Sequence, residues 1–252
     1  MSQFYLPGPW TLDPISASES LSHHLRVRRI DESESIRVFD GEGKVATARL
    51  APNSGNSGGK IAQLVLSDIH EDLSTEPKYP LALVQGIAAN EKMDWLIEKA
   101  VELGVTHITP LQAERSVVRL DEKRAEKRLA HWRAIIIAAC EQSGRTVIPK
   151  LHPLSTTSQW LNGQKESNQS ENGALKIILS PRGELGLVSI LKRAPGQGIC
   201  LMIGPEGGFS DNEEKLAENA GFVPALLGKR VLRTETAGIV AMSAVNTLWG
   251  GF

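Results

Sequence analysis

The stretch Ile199-Cys200-Leu201-Met202-Ile203-Gly204-Pro205-Glu206-Gly207-Gly208-Phe209-Ser210 decides how this chain is read. Residues 199–203 are an unbroken apolar run with the length of a buried strand. Three glycines and a proline follow, and Ser210 with Glu213 forms a capping box opening a helix that stops at Gly221. Strand, glycine-rich loop and capped helix in that order form the repeating unit of an α/β sheet, whose ligands sit beyond the carboxyl ends of its strands. Glycines let main-chain N–H groups come close to a ligand, and the helix adds a positive dipole end. The loop is neither GxxxxGK[ST] nor GxGxxG. Taken alone it reads equally as a tight structural turn.

The alternation extends outward from this stretch. Residues 81–87, 108–111, 175–179 and 222–227 read as strands, the last weakened by Pro224. Helices are predicted from a cap at Asn90 to Gly104, over residues 121–143 and over residues 237–249. A mostly parallel sheet with helices on both faces follows. Residues 162–173 carry few apolar side chains and read as a flexible loop. Upstream of the polar segment 73–80 the pattern is different. Residues 4–6, 36–39, 45–50 and 61–66 read as short strands, with turns at 40–43 and 53–59. One helix, capped by Ser16 with Glu19, puts Leu21 and Leu25 on one face. A strand-rich piece of this size tends to close into a barrel. The boundaries expected are a β-barrel over 1–75 and an α/β domain over 76–252.

Two more loops follow strands of the α/β part: Ser180-Pro181-Arg182-Gly183 after Leu179, and Gly228-Lys229-Arg230-Val231-Leu232-Arg233-Thr234-Glu235-Thr236-Ala237 after Leu227. Arg230, Arg233 and Glu235 stand between an apolar strand and an apolar helix. Burying charge there is costly unless it is paired, so they form either a functional set or an internal Arg–Glu brace. HExxH, CxxC and GxSxG are absent. His107 reads as core, and His131 and His152 as structural or surface residues. Cys140 and Cys200 lack metal-ligand spacing and read as buried thiols in a reducing cytoplasm. No signal-peptide pattern or membrane-spanning run is present. A net charge of −1 argues against indiscriminate coating of nucleic acid. Yet basic residues crowd residues 23–29, 115–133 and 229–233. Each cluster alone fits a solvated helix face, and three on a neutral chain point to a polyanion.

The loops at 203–210 and 227–237 resemble those of the SPOUT methyltransferases, and within that superfamily the RsmE family of bacterial 16S rRNA uracil-N3 methyltransferases. Glu141-Gln142-Ser143-Gly144-Arg145, Glu114-Arg115-Ser116 and the segment 92–104 look like further family segments. The segment 24–29 looks like the N-terminal motif, except that the family commonly has leucine where this chain has Arg28. The resemblance implies a C-terminal domain with a deep trefoil knot, a PUA-like β-barrel before it, a homodimer, and cytoplasmic 16S rRNA in the small ribosomal subunit as substrate, with no role for DNA, membrane or metal. S-adenosylmethionine would be the methyl donor, seated by Leu179, Ser180, Gly204, Pro205, Glu206, Gly207, Gly208, Leu227, Gly228, Leu232 and Thr236. RNA would be gripped by His24, Arg26, Arg28, Arg29, Arg115 and Arg145. Methylating N3 of a uracil removes a proton and develops negative charge on the base, which makes Glu235 the candidate base and Arg230 and Arg233 the candidate charge stabilisers. The competing readings are an inert RNA-binding module, a SPOUT-type enzyme with another RNA target or atom, and a nucleotide-using enzyme of unrelated chemistry.

Overall fold

A computed structural model describes residues 3–11, 13–52, 61–89, 91–166, 174–193 and 196–252. They divide into two compact units, Met1–Glu76 with Ile137–Ile148 and Pro77–Ile136 with Pro149–Phe252. The predicted turn at 53–59 and the helix cap at Asn90 lie outside the described residues.

The first unit contains β1 (Gln3–Tyr5), β2 (Ile15–Ser16), α1 (Glu19–Val27), β3 (Ile36–Phe39), β4 (Lys44–Leu50) and β5 (Gln63–Glu71). Its strands form one sheet in the order β1-β3-β4-β5-β2, antiparallel except between β1 and β3. The sheet curls as a half-barrel over Phe4, Leu6, Leu21, Leu25, Val38 and Leu64. Among the described residues its two edge strands do not pair with each other, so the expected barrel is an open one. Ser18, not Ser16, caps α1, its Oγ accepting from the Leu21 N–H at 3.1 Å. Ser16 is instead held in β2, where its hydroxyl meets Gln63.

A buried ion pair lies within this unit. Arg145 Nη2 sits 2.7 Å from Glu76 Oε2, with side chains only 4% and 11% exposed. The other carboxylate oxygen accepts from the Thr146 and Val147 N–H groups at 2.8 and 3.0 Å. This corrects the expectation that Arg145 touches RNA: its guanidinium is spent inside the unit. Cys140 is fully buried, and burial pushes its thiol up to about 12. Such a thiol stays protonated and inert at neutral pH.

The second unit contains β6 (Leu81–Gly86), α2 (Glu91–Glu102), β7 (His107–Gln112), α3 (Glu122–Ser143, whose last turns count with the first unit), β8 (Lys150–Leu151), β9 (Ser155–Thr156), α4 (Thr157–Glu166), β10 (Leu175–Leu179), β11 (Leu185–Gly186), α5 (Leu187–Leu191), β12 (Ile199–Ile203), α6 (Asp211–Asn219), β13 (Val223–Leu226) and α7 (Thr234–Trp249). The sheet runs β11-β13-β10-β12-β6-β7-β8, with β9 beside β7, and its pairings are parallel. The α/β class expected from the alternation is the one observed. Pro224 is accommodated within β13, opposite Ile178.

Four features differ from expectation. Helix α4 occupies residues 157–166, of which 162–166 read as flexible loop; two apolar residues anchor it, Leu161 in the core and Trp160 against Phe222 at 6.0 Å. Residues 167–173 lie outside the described set. Helix α7 starts at Thr234 rather than Ala237, so Glu235 and Thr236 belong to its first turn. His107 is half-buried and stacks on His152 at 5.6 Å rather than sitting in the core. Cys200 is half-buried rather than buried. Among the described residues no helix is long and apolar enough to cross a membrane.

Removing one partner of a buried ion pair strands the other, so Glu76→Ala is expected to cost about 3–5 kcal/mol in a denaturation experiment. It leaves Arg145 uncompensated and two N–H groups without their acceptor.

Candidate functional site

Strands β13, β10, β12 and β6 are neighbours and parallel, so the loops after their carboxyl ends share one edge of the sheet. That edge is where an open α/β sheet builds its ligand site.

The loop after β12 is held on all sides. A Cβ on Gly207 would stand 2.8 Å from the Arg115 carbonyl oxygen, so only glycine lets these two segments touch. Arg115 Nη1 donates to the Phe209 carbonyl at 3.1 Å. Arg115, expected to meet RNA, is exposed but braces this loop. Ser210 and Glu213 form the predicted capping box, and Glu213 Oε1 also accepts from the Glu114 N–H at 3.0 Å. Pro205 is buried, and Gly208 donates its N–H to the Pro205 carbonyl at 2.8 Å. Glu206, expected to help seat a ligand, turns to the loop after β6: Oε1 accepts from the Ala89 N–H and from Lys92 Nζ, both at 3.0 Å. Burial raises the Glu206 pKa, but the Ala89 N–H, its own backbone and the Lys92 ammonium outweigh that and hold it below its ordinary value.

The loop after β10 is similarly committed. Ser180 Oγ donates to Glu214 at 3.1 Å and accepts from the Arg182 N–H at 3.1 Å, so its hydroxyl serves the protein. Arg182 pairs with Asp211 and lies 3.6 Å from Glu214. Leu179, at the end of β10, is half-buried.

The loop after β13 behaves differently. Leu227 and Leu232 are half-buried, while Arg230, Arg233 and Val231 are exposed, Val231 at 93%. Glu235 is buried, 8% exposed, and its Oε2 has no hydrogen-bond partner. Among the described residues no ion pair joins it to Arg230 or Arg233, so the internal Arg–Glu brace is not formed. The three charges are separated because the arginines ride a projecting loop and Glu235 turns under on the helix. Thr234, beside it, donates its hydroxyl to the Gly204 carbonyl. Thr236 is half-buried on the same turn.

Gly208 (φ +67°) and Gly228 (φ +153°) have nothing within 4 Å of where a Cβ would be. At both points bare main chain faces open space in a backbone conformation that favours glycine. Both positions leave room for a ligand to approach the main chain.

In the first unit, α1 buries Leu21, Ser22 and Leu25 and exposes His23, His24, Arg26, Arg28 and Arg29. The Arg28 guanidinium lies over the Phe4 ring, 5.2 Å from its centroid. A pocket of about 390 Å³ lined by Tyr5, Trp10, Asp40, Glu42 and Lys44 among others lies wholly in this unit and contains none of the sheet-edge loops. Sequence reasoning missed Gln85, Thr234 and the Glu206–Lys92 tie. For Gln85 a signal existed: an amide interrupts the apolar run Leu81-Ala82-Leu83-Val84-Gln85-Gly86-Ile87.

The chain is similar to known RNA methyltransferases. A model of the RNA methyltransferase domain matches residues 75–246, and a model of the RNA methyltransferase PUA domain matches residues 18–57. These two matches define the class, RNA methyltransferases carrying a PUA unit. The ribosomal RNA small subunit methyltransferase E of Bacillus subtilis is 33% identical over 231 residues, 90% of this chain and 87% of its own. A crystal structure of the Neisseria gonorrhoeae ribosomal RNA small subunit methyltransferase E bound to S-adenosyl methionine superposes with a TM-score of 0.84 at 38% identity, covering 99% of this chain and 98% of its own. A Legionella pneumophila protein in complex with the bound cofactor SAM superposes with a TM-score of 0.85 at 34% identity, covering 97% and 96%. The chain belongs to the ribosomal RNA small subunit methyltransferase E family.

Glu206 has a depressed pKa in the folded protein, so its contribution to stability is complete above its unfolded pKa of about 4.3 and is lost as pH falls through the folded value. Denaturation between about pH 6 and about pH 3 should show a smaller acid-induced loss in Glu206→Gln than in the parent chain.

Proposed function

We propose that this chain transfers the methyl group of S-adenosylmethionine to N3 of one uridine near the 3′ end of 16S rRNA. The observation that carries this reading is the buried Glu235, whose Oε2 has no hydrogen-bond partner, set next to Thr234, which bonds the glycine loop after β12. A buried polar atom without a partner is costly to keep, and functional sites are where such atoms are kept.

The cofactor would be seated by main chain at Gly204, Pro205, Gly207, Gly208, Leu227, Gly228 and Leu232, with Leu179 alongside. The open space at Gly208 and Gly228 fits a ligand held this way. When bound, S-adenosylmethionine supplies an electrophilic methyl group on a sulfonium. Glu235 accepts the N3 proton of the uracil as the methyl group is transferred. Arg230 and Arg233, exposed on the loop before α7, meet the RNA and stabilise the negative charge that the base acquires. The side chains of Glu206, Ser180 and Arg115 keep the loops in place.

The exposed basic face of α1 suits the phosphate backbone of RNA, with Leu21 and Leu25 fixing it to its unit. An rRNA substrate places the enzyme in the cytoplasm. A second copy of the chain completes the assembly, with α7 and the C-terminus offering exposed Val240, Leu248 and Phe252.

Two outcomes test this reading. Glu235→Gln should lower turnover on small ribosomal subunits by ~10²–10⁴-fold while S-adenosylmethionine affinity, measured calorimetrically, stays near that of the parent; unchanged turnover removes Glu235 from the chemistry. Raising salt should weaken RNA binding steeply and leave cofactor binding nearly constant, and Arg26→Ala with Arg29→Ala should flatten that salt slope.

A further inference from the structure

Gln85 occupies the last turn of pleat of β6 and is completely buried. Its Nε2 donates to the Gly86 carbonyl at 2.9 Å and to Thr234 Oγ1 at 2.8 Å, with the Gly204 carbonyl farther off at 3.4 Å. Thr234 Oγ1 donates its own hydrogen bond to the Gly204 carbonyl. Its hydroxyl therefore accepts from Gln85 and donates to Gly204, and the direction of the relay is set. The relay joins three places far apart in sequence: the end of β6, the glycine loop after β12, and the first turn of α7, where Glu235 follows Thr234.

The other end of the amide is a liability. Gln85 Oε1 is buried without a hydrogen-bond partner, near Gly238 and the apolar Leu96 and Ile203. An orphaned buried acceptor costs about 1–3 kcal/mol. A methionine or leucine would fill a buried strand position without that cost. What such residues cannot supply is the donor pair on Nε2. A glutamate has nearly the same shape but would set an acceptor against the Gly86 and Gly204 carbonyls.

We propose that Gln85 is a positioning residue for methyl transfer: through Thr234 it sets the cofactor loop at Gly204 and the carboxylate of Glu235 in register, so that cofactor binding and proton acceptance depend on one tie. This rests on the function proposed above. Loss of the tie therefore moves two constants together, cofactor affinity through Gly204 and the chemical step through Glu235. A residue that merely fills the core would lower stability and leave both constants alone.

The test uses the full-length chain, S-adenosylmethionine titrated calorimetrically, and single-turnover methylation of small ribosomal subunits at saturating cofactor. Gln85→Met is expected to weaken cofactor binding about tenfold and to slow the single-turnover step about tenfold, the scale of one lost buried hydrogen bond. Gln85→Glu, with repulsion added, should be worse than Gln85→Met in both. Thr234→Val should copy Gln85→Met, and Thr234→Ser, which keeps the hydroxyl, should recover most of the loss. The double variant Gln85→Met with Thr234→Val should be no worse than about twofold beyond either single, because both act on one tie. If the Gln85 variants do not fold, the Thr234 pair carries the test. Both constants within about twofold of the parent in Thr234→Val overturn the proposal, whatever the melting temperature does. A parent chain that binds no S-adenosylmethionine overturns the functional reading and this inference together, whereas a parent that binds and methylates beside an unaffected Thr234→Val overturns the inference alone.

Discussion

The carbonyl of Gly204 is the point on which the second unit's ligand edge depends. It accepts from the hydroxyl that opens α7, and that hydroxyl in turn accepts from an amide at the end of β6. Three segments are thereby fixed to one another by donors that have no water to turn to. In a buried setting a hydrogen bond is worth keeping chiefly because leaving its members unpaired is expensive. The glycines around it allow backbone to meet backbone, as where Gly207 faces the Arg115 carbonyl.

Carboxylates do much of the remaining work, mostly by accepting main-chain N–H groups. Glu213 caps α6 and also takes the Glu114 N–H, so one side chain joins the loops after β7 and β12. Glu206 joins the loops after β12 and β6, and Glu214 joins α6 to the loop after β10. In the first unit Glu76 does the same for Thr146 and Val147 while pairing with Arg145. Against this background Glu235 stands apart: it is buried as Glu213 and Glu214 are, yet its Oε2 accepts nothing. The bracing carboxylates create a stiff edge, and stiffness is what an enzyme needs to hold acceptors and charges at fixed distances from a reacting base.

The arginines divide along the same line. Arg145 is buried and structural, Arg115 is exposed but tied to the Phe209 carbonyl, and Arg230 and Arg233 are exposed on a projecting loop. All four look alike in the sequence, as cations in family-like segments. Only burial and partner choice separate the arginine that holds the protein together from those left exposed on the loop. The same holds for Ser180 and Glu206, whose positions in the loops suggest ligand contact and whose hydrogen bonds turn inward.

The amino-acid sequence by itself determined the α/β class, strands β3, β10 and β12, the capping box at Ser210 and Glu213, the loops that meet at the sheet edge, and the family. Those features rest on local rules: apolar runs, caps and glycine spacing are read within a dozen residues. Tertiary structure decided what depends on neighbours distant in sequence. It drew Ser16 into a strand and left the cap to Ser18, started α7 at Thr234, whose hydroxyl finds the Gly204 carbonyl, and buried Arg145 against Glu76. Such choices turn on which donors and charges lose their water when remote segments meet, and no local pattern along the chain carries that information.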